Sequence, residues 1–290
     1  LASQLAGITP AMLNYSGGIK SVLDACKLAK VKQVITHPLM VEKMHLEPLI
    51  SALKKEKIKV LYLDEIINLI KSHKLKYGIT YGIKRRSSKI AKDPKTADKP
   101  ACILFTSGSE GAPKGVVLSH KNILSNCTQL SICLDSYRQD VSFNSLPLFH
   151  AFGLVAGCIF PMLNGVRTYL YPSPLHYRLI PEYIYHENAT IIFGTDTFLS
   201  GYARFANRYD FNQVRYVISG GEKLKDTTKQ SYYEQFGLTI YEGYGATEMS
   251  PVVSTNTPLM FKKDTVGKIL PGLEFKLEKI PKITTGKRLF

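Results

Sequence analysis

Short apolar runs of strand length alternate with segments of helical period along most of this 290-residue chain. "PAMLN" precedes a helical pattern over 19–30, "VKQVIT" precedes one over 39–55, and "VLYLDEI" follows as a third apolar run. After a basic stretch come "CILFT" and "GVVLS", the latter leading into a helix over 120–135. "TYLYP" then leads to a helix from 178, "TIIFG" to one near 197–206 and "VRYVISG" to one near 226–236. This rhythm predicts an α/β fold, with parallel sheets carrying helices on both faces. Ligands in such folds collect at the carboxyl ends of the strands. The residues just after each apolar run are therefore the ones to search for chemistry.

Composition narrows the class without naming a function. With 44% hydrophobic and 21% charged residues, the chain is a folded globular protein and not a disordered one. No signal peptide is visible, and the most apolar stretch, "AFGLVAGCIFPMLNGV", is broken by Gly153, Gly157 and Pro161 and is too short to span a bilayer. Leu1 opens inside structured sequence and "ITTGKRLF" stops in a strand-like run, so both ends are expected to be cuts from a longer polypeptide. The expected location is cytoplasmic. Cys26, Cys102, Cys127, Cys133 and Cys158 form an odd set without a CxxC pair, which reads as buried hydrophobes in a reducing compartment.

The net charge of +15 is unevenly spread: residues 1–100 hold 19 basic and 8 acidic residues, and 71–99 alone hold 10 and 2. That basic run, closed by Asp93-Pro94 and Lys99-Pro100, marks an internal boundary. It reads as a solvated surface, a face for an anionic membrane, or a dock for an acidic protein. Nucleic acid ranks last, because no recognition-module signature accompanies the charge.

Chemistry first appears in "LFTSGSEGAPKGVVLSH", residues 104–120, where a strand feeds a loop of small and hydroxylated residues. Thr106, Ser107 and Ser109 offer hydroxyls, Gly108 and Gly111 let backbone amides approach an anion, and Lys114 brings a point charge. The common phosphate loop of nucleoside-triphosphate switches places lysine directly after glycine and a hydroxyl directly after lysine. Here Pro113 precedes Lys114 and Gly115 follows it, so that class is disfavoured. Ser119 is placed to cap the helix starting at His120. Glu110 is an acid in a loop built for anions and has no account from the sequence. "GGIKS" at 17–21 reads as a turn before an amphipathic helix.

Three further stretches join the set. "SLPLFHAFG" puts His150 at the end of a strand-like run beside an apolar segment suited to a hydrophobic substrate. "SGGEKL" follows a strand with Gly220, Gly221 and Glu222, a platform for a flat base. "YEGYGATEMSPV" offers the ring of Tyr244, the hydroxyl of Thr247 and the carboxylate of Glu248.

"FTSGSEGAPKG", "PLFHAFG", "GGEKL", "GYGATE" and "VGKILPG" resemble the adenylate-forming superfamily of acyl-CoA synthetases and related ligases. "TSGSEG", "YPSPLHYRLIPE" and "GYARFANRYDF" bring it nearest to the acyl carrier protein acylating part of bifunctional 2-acylglycerophosphoethanolamine acyltransferases. The resemblance implies the large N-terminal domain of such an enzyme, a layered αβαβα fold with parallel-rich sheets. It implies a first α/β subdomain over 1–99 ending in the basic connector 71–99, an ATP- and acyl-binding subdomain over 100–265, and the start of a β-rich subdomain over 266–290. The C-terminal lid domain would lie beyond Phe290.

The implied activity is ATP-dependent conversion of a fatty acid to acyl-AMP, then transfer to the thiol of acyl carrier protein, in the service of lysophospholipid reacylation at the inner face of a membrane. A fatty acyl-CoA synthetase, and a non-catalytic nucleotide- or lipid-binding module, are the alternatives. The resemblance implies ATP and Mg²⁺, with Thr106 and Glu248 at the metal and Thr247 at the α-phosphate. The 106–111 loop, with Lys114, would take the leaving phosphates. Gly220, Gly221, Glu222, Tyr244 and Gly245 would form the adenine pocket, and His150, Phe152 and Gly194 the acyl site.

Overall fold

The computed structural model describes residues 2–73, 78, 96–107, 113–276 and 278. Most of the basic run 71–99, the loop residues Gly108, Ser109, Glu110 and Gly111, and the "ITTGKRLF" end lie outside the described residues.

Helix α1 (Ala2–Leu5) leads to the short strand β1 (Ala11–Met12). The glycines of "GGIKS" form the turn, as expected, and α2 (Ile19–Leu28) begins within the stretch at Ile19. Strand β2 (Gln33–Thr36), helices α3 (Pro38–Lys43) and α4 (Glu47–Lys55), and strand β3 (Lys59–Tyr62) follow, with β2 and β3 paired in parallel. The single helix expected over 39–55 is thus two. His45 takes a φ of 50°, which no α-helix accommodates, and Pro48 sits in the first turn of α4, where its missing N–H costs nothing. The run "VLYLDEI" also divides. Helix α5 (Leu63–Ser72) starts inside it, with Asp64 and Glu65 in the first turn, where the helix dipole favours acids.

Most of the described part of 104–120 belongs to two antiparallel strands, β4 (Pro100–Ser107) and β5 (Pro113–Ser119), and β1 lies parallel to β4 on its other side. Helix α6 (His120–Cys133) follows without a spacer. Ser119 caps it as expected: its Oγ accepts from the Asn122 N–H at 3.1 Å, and Asn122 Oδ1 accepts from the Ser119 N–H at 2.9 Å. Such a reciprocal cap stabilises a helix by about 1 kcal/mol.

The main sheet contains β6 (Val141–Asn144), β7 (Arg167–Leu170), β8 (Ile191–Gly194), β9 (Tyr216–Ser219), β10 (Ile240–Gly245), β11 (Val252–Thr255) and β12 (Lys268–Ile269). Their order is β12-β11-β10-β9-β8-β6-β7. The pairs from β7 to β10 are parallel, whereas β11 and β12 are antiparallel additions, so the sheet is mixed. Between the strands run α7 (Phe160–Leu163), α8 (Leu179–His186), α9 (Asp196–Phe205) and α10 (Asp226–Phe236). Side chains alternate across β8 and β9. Phe193 and Ile218 join a core with Leu104, Leu118 and Val155, while Ile192 and Val217 join one with Ile180, Leu199 and Tyr232. Both faces are covered, which is why these strands read as unbroken apolar runs.

Backbone pairing of β1 with β4 and of β12 with β11 crosses the divisions drawn from the sequence at 99/100 and 265/266. At the amino ends of the parallel strands, Asp140 is buried and accepts from Arg215 Nε at 2.9 Å, Thr190 Oγ1 at 2.7 Å and the Tyr137 N–H at 2.7 Å. Burial alone would raise its pKa, but the hydrogen bonds from Arg215, Tyr137 and Thr190 outweigh it and hold the carboxyl below its ordinary value. All five cysteines are free, and burial pushes Cys102 up to about 11 and Cys127 up to about 12, so these two stay protonated and inert. No helix among the described residues is long and apolar enough to cross a membrane.

Candidate active site

A cavity of about 530 Å³ opens at the carboxyl ends of β8, β9 and β10, where doubly covered parallel sheets bind their ligands. Its apolar lining includes the buried side chains of Leu130, Leu134, Leu146, Ala156, Phe160 and Phe193. Its polar lining includes Thr195, Thr197, Glu222, Tyr244, Thr247 and Thr255. Of the residues singled out from the sequence, His150, Phe152, Gly220, Gly221, Glu222, Tyr244, Gly245 and Thr247 all line this one cavity.

His150 reaches it by a route the sequence pattern did not indicate. It does not end a strand: β6 stops at Asn144, and His150 stands at the start of a helical segment that runs through Phe152–Ile159 into α7. The glycines of this segment are close-approach positions and not breakers. A Cβ on Gly153 would lie 2.5 Å from the Pro147 carbonyl oxygen, and one on Gly157 would lie 2.6 Å from the Asn144 side chain. The segment over Phe152–Ile159 has π-helical spacing, a feature frequent at functional sites. Asn144, itself buried, donates to the Gly153 carbonyl at 3.0 Å and accepts from the Leu146 N–H at 3.0 Å, so it closes the loop that carries His150 at both ends. Phe149 stacks obliquely on the His150 ring at 4.6 Å, and desolvation holds the imidazole pKa below its ordinary value. His150 is therefore neutral near pH 7 and offers one N–H donor.

Glu222 is committed to the polar wall. Its carboxylate accepts from the Thr197 N–H at 2.7 Å and from Thr197 Oγ1 at 3.1 Å, at the amino end of α9. Burial works to raise its pKa, yet hydrogen bonds from Thr195 and Thr197 prevail and lower it. Gly220 packs against the Phe152 ring, so the polar loop and the apolar wall meet there. Phe152 in turn meets Phe193 edge-on at 6.0 Å. Gly245 lets the chain pass over Pro251, since a Cβ there would sit 2.3 Å from the Pro251 carbonyl oxygen. The next residue, Ala246, donates to that same oxygen at 2.9 Å and presents Thr247 to the cavity.

Thr106 and Lys114 do not line the cavity but face each other across the β4–β5 hairpin, one register pair before Ser107 and Pro113. Directly opposed residues have Cβ atoms about 5 Å apart. Strand β5 packs against the turn Thr247–Met249, which brings the hairpin to the polar rim. Glu248 is exposed on that turn, beside the cavity. Gly194 is buried behind the wall and not on it, with the Leu199 side chain filling the direction of its missing Cβ. Thr195, Thr197 and Phe193 are wall residues that the sequence reading passed over. Their signal was available, because "FGTDT" ends a buried strand on the same edge as "SGGE".

Among the described residues no group of three or more His, Cys, Asp or Glu could hold a metal by itself. A lone carboxylate such as Glu248 with a hydroxyl such as Thr106 suits Mg²⁺, which keeps its waters and takes the rest of its oxygens from substrate phosphates.

The match to a family model described as "AMP-binding enzyme" runs over residues 1–284. The chain belongs to the AMP-binding enzyme family. Among curated relatives, the medium-chain fatty-acid–CoA ligase of Escherichia coli (strain K12) is 31% identical over 187 residues, 62% of this chain and 32% of the relative. The probable 4-coumarate–CoA ligase 1 of Dictyostelium discoideum is 32% identical over 203 residues, 68% of this chain and 36% of the relative. This AMP-binding enzyme chain has the fold of o-succinylbenzoate coenzyme A synthetase (MenE) from Bacillus subtilis in complex with ATP and magnesium ion. The TM-score is 0.74 at 20% identity, covering 98% of this chain and 54% of that one. For MatB from Rhodopseudomonas palustris the TM-score is 0.72 at 23% identity, covering 93% and 51%. The AMP-binding enzyme chain thus spans about half the length of these structures and matches about a third of the curated relatives.

Proposed function

We propose that this chain is the nucleotide- and acyl-binding part of an ATP-dependent ligase that activates a fatty acid as acyl-AMP and passes the acyl group to a thiol. The observation that carries the reading is that one cavity at the strand ends is lined both by the polar residues of the Gly220–Glu222 and Tyr244–Thr247 stretches and by a set of apolar side chains, with His150 also on its wall. The glycine loop Gly220–Glu222 and the ring of Tyr244 suit an adenine, and Thr247 suits the α-phosphate. Lys114 attracts the leaving pyrophosphate through its charge. His150, as a neutral donor, holds the carboxylate while its oxygen attacks phosphorus and the bond to pyrophosphate breaks. Mg²⁺, held by Thr106 and Glu248 with phosphate oxygens, would offset the charge that builds on the leaving group.

The substrate is an alkyl acid of medium or long chain. Among the described residues no Lys or Arg lines the cavity to pair with a second carboxylate, its apolar lining offers no polar side chain to receive a phenol, and each buried methylene contributes about 0.8 kcal/mol. That argues against the o-succinylbenzoate and 4-coumarate named for two of the similar proteins. For the acceptor, the subgroup motifs "TSGSEG" and "YPSPLHYRLIPE" support acyl carrier protein, with lysophospholipid reacylation downstream. A second reading, coenzyme A, is favoured by the names of the curated relatives. Acidic carrier proteins would meet a strongly basic first hundred residues.

The test is pyrophosphate exchange by the full-length protein with acids of increasing length, then thioester formation with each acceptor. Lys114→Ala or Glu248→Gln should cut acyl-AMP formation about 10²-fold or more with the fold intact. Wild-type exchange in either variant would refute the assignment.

A further inference from the structure

Asn126 belongs to no motif of the site, yet it is buried on α6 and gives both faces of its amide to one residue across the molecule. Its Nδ2 donates to the Val252 carbonyl at 2.8 Å, and its Oδ1 accepts from the Val252 N–H at 3.1 Å. The side chain therefore pairs with the first residue of β11 as a neighbouring strand would. Val252 lies next to Pro251, whose carbonyl oxygen accepts from Ala246, and the Ser250 N–H donates to the Thr247 carbonyl at 3.2 Å. Residues 246–251 thus form a closed loop that is fastened to the body of the protein through Val252.

The other end of α6 is equally fixed. Its first turn is capped by Ser119 and Asn122, and Ser119 ends β5, the strand that begins at Pro113 and Lys114. Strand β5 and two turns of capped helix therefore link the lysine of the phosphate hairpin to the anchor of the Thr247 loop.

We infer that Asn126 is a positioning residue that sets the Thr247–Glu248 turn against the Lys114 hairpin, so that both ends of a triphosphate are met in one geometry. The inference rests on the proposed reading of Thr247 and Lys114. A misplacement of about 1 Å in such a constellation costs on the order of 10²-fold in rate. Asn126→Ala removes both bonds to Val252 and a 3.3 Å bond to Gln129 Oε1 within the helix, while Asn126→Asp keeps the acceptor for the Val252 N–H and turns an oxygen towards the Val252 carbonyl.

Two measurements on the full-length protein separate the inference from the reading beneath it. The first, hydrogen exchange without ligand, needs no activity. In Asn126→Ala the amides of the 246–252 segment should exchange at least 10-fold faster than in wild type, with 179–186 unchanged. Ser131→Ala, a variant in the same helix that removes the Oγ bonds to the Cys127 carbonyl and to Asn164 but none to Val252, should leave the 246–252 segment unchanged. Unchanged exchange at 246–252 in Asn126→Ala, or equal loss throughout the molecule, overturns the anchoring. The second is pyrophosphate exchange. Both Asn126 variants should lower kcat about 10- to 100-fold while the KM for the acid stays within twofold. A rise in acid KM with unchanged kcat overturns the positioning role. If wild type shows no exchange, the reading of the site fails, and with it the positioning role, while the hydrogen-exchange result still decides the anchoring.

Discussion

Gly157→Ala is a sharp perturbation because two opposed effects of known size meet at one atom. In an exposed helix the change would help, by roughly 1 kcal/mol, since alanine loses less backbone freedom on folding. Here the added methyl carbon would stand 2.6 Å from Cγ and 2.7 Å from both terminal atoms of Asn144. Real Cβ atoms do not approach that closely, so the Asn144 side chain or the helix must move. Asn144 is 1% exposed and its amide is held at both ends, to Gly153 and to Leu146. Overpacking of this kind costs about 1–3 kcal/mol, and leaving a buried partner unbonded costs about 1–3 kcal/mol more. Subtracting the helical gain leaves a net loss of about 3 kcal/mol. For a chain of this size that corresponds to a fall in Tm of roughly 5–10 °C.

A double-mutant cycle in urea tests the cause as well as the size. Asn144→Ala alone strands the Gly153 carbonyl and the Leu146 N–H and should destabilise by about 2 kcal/mol. Once the amide is gone, the Gly157 methyl has room, so the double variant should be no less stable than Asn144→Ala. Because His150 sits on the loop that Asn144 closes, the single variants should also raise the KM for the acid. Additive losses in the cycle, or a Gly157→Ala change under 0.5 kcal/mol, would show that the helix is free to shift and that the lock does not exist.

Asp140→Asn should destabilise by about 2–3 kcal/mol, because Arg215 loses its charged partner and keeps only the neutral Asp135 carbonyl and the Tyr137 and Tyr216 rings, with about a third of its side chain exposed. Since the folded pKa of Asp140 lies below the ordinary 3.8, its contribution is complete above that value and disappears as pH falls through the lower folded value. Urea midpoints of wild type and Asp140→Asn should therefore converge on the acid side, and a constant gap from pH 7 to pH 2 would contradict the linkage. Ala156→Phe, which adds a ring to the apolar lining of the cavity, should shift the preferred acid to a shorter chain; competition between acids of two lengths reads this directly, and an unchanged preference would remove Ala156 from the acyl wall. Neutralising Lys84, Arg85 and Arg86 should slow association of an acidic carrier protein mainly at low salt, where the screening length exceeds about 10 Å, and leave adenylation alone. Release from anionic vesicles with unaltered carrier kinetics would assign the charge to lipid instead.

What the chain order discloses, and what it hides, divides along the range of the interactions. Strands β8 and β9, the helices after them and the Ser119 cap were legible because their determinants lie within a few residues of each other. The strand of 141–144 was hidden by its composition: Ser142 and Asn144 are polar yet buried. Strand β10 was hidden too, because its last residues double as the polar wall. The helix after His150 was misread for a related reason. Gly153 and Gly157 are breakers by local rules, and here they are spacers for the Pro147 carbonyl and the Asn144 amide, which only the folded chain brings near.

The same division runs through the site itself. Glycines, hydroxyls, His150, Lys114 and Glu248 stood in recognisable stretches because the groups proposed to meet a nucleotide come from loop backbones of particular shape. The groups that hold those loops apart at the right distance left no local trace. Asn126 reaches Val252 across 126 residues and Arg215 reaches Asp140 across 75, and neither pair has a spacing that a sequence pattern can repeat. Such pairs need only a donor, an acceptor and burial, so many chain positions could serve in principle and the choice is fixed by topology. A chain can therefore advertise its chemistry in short motifs while keeping the geometry that makes the chemistry work in single buried amides far from every motif.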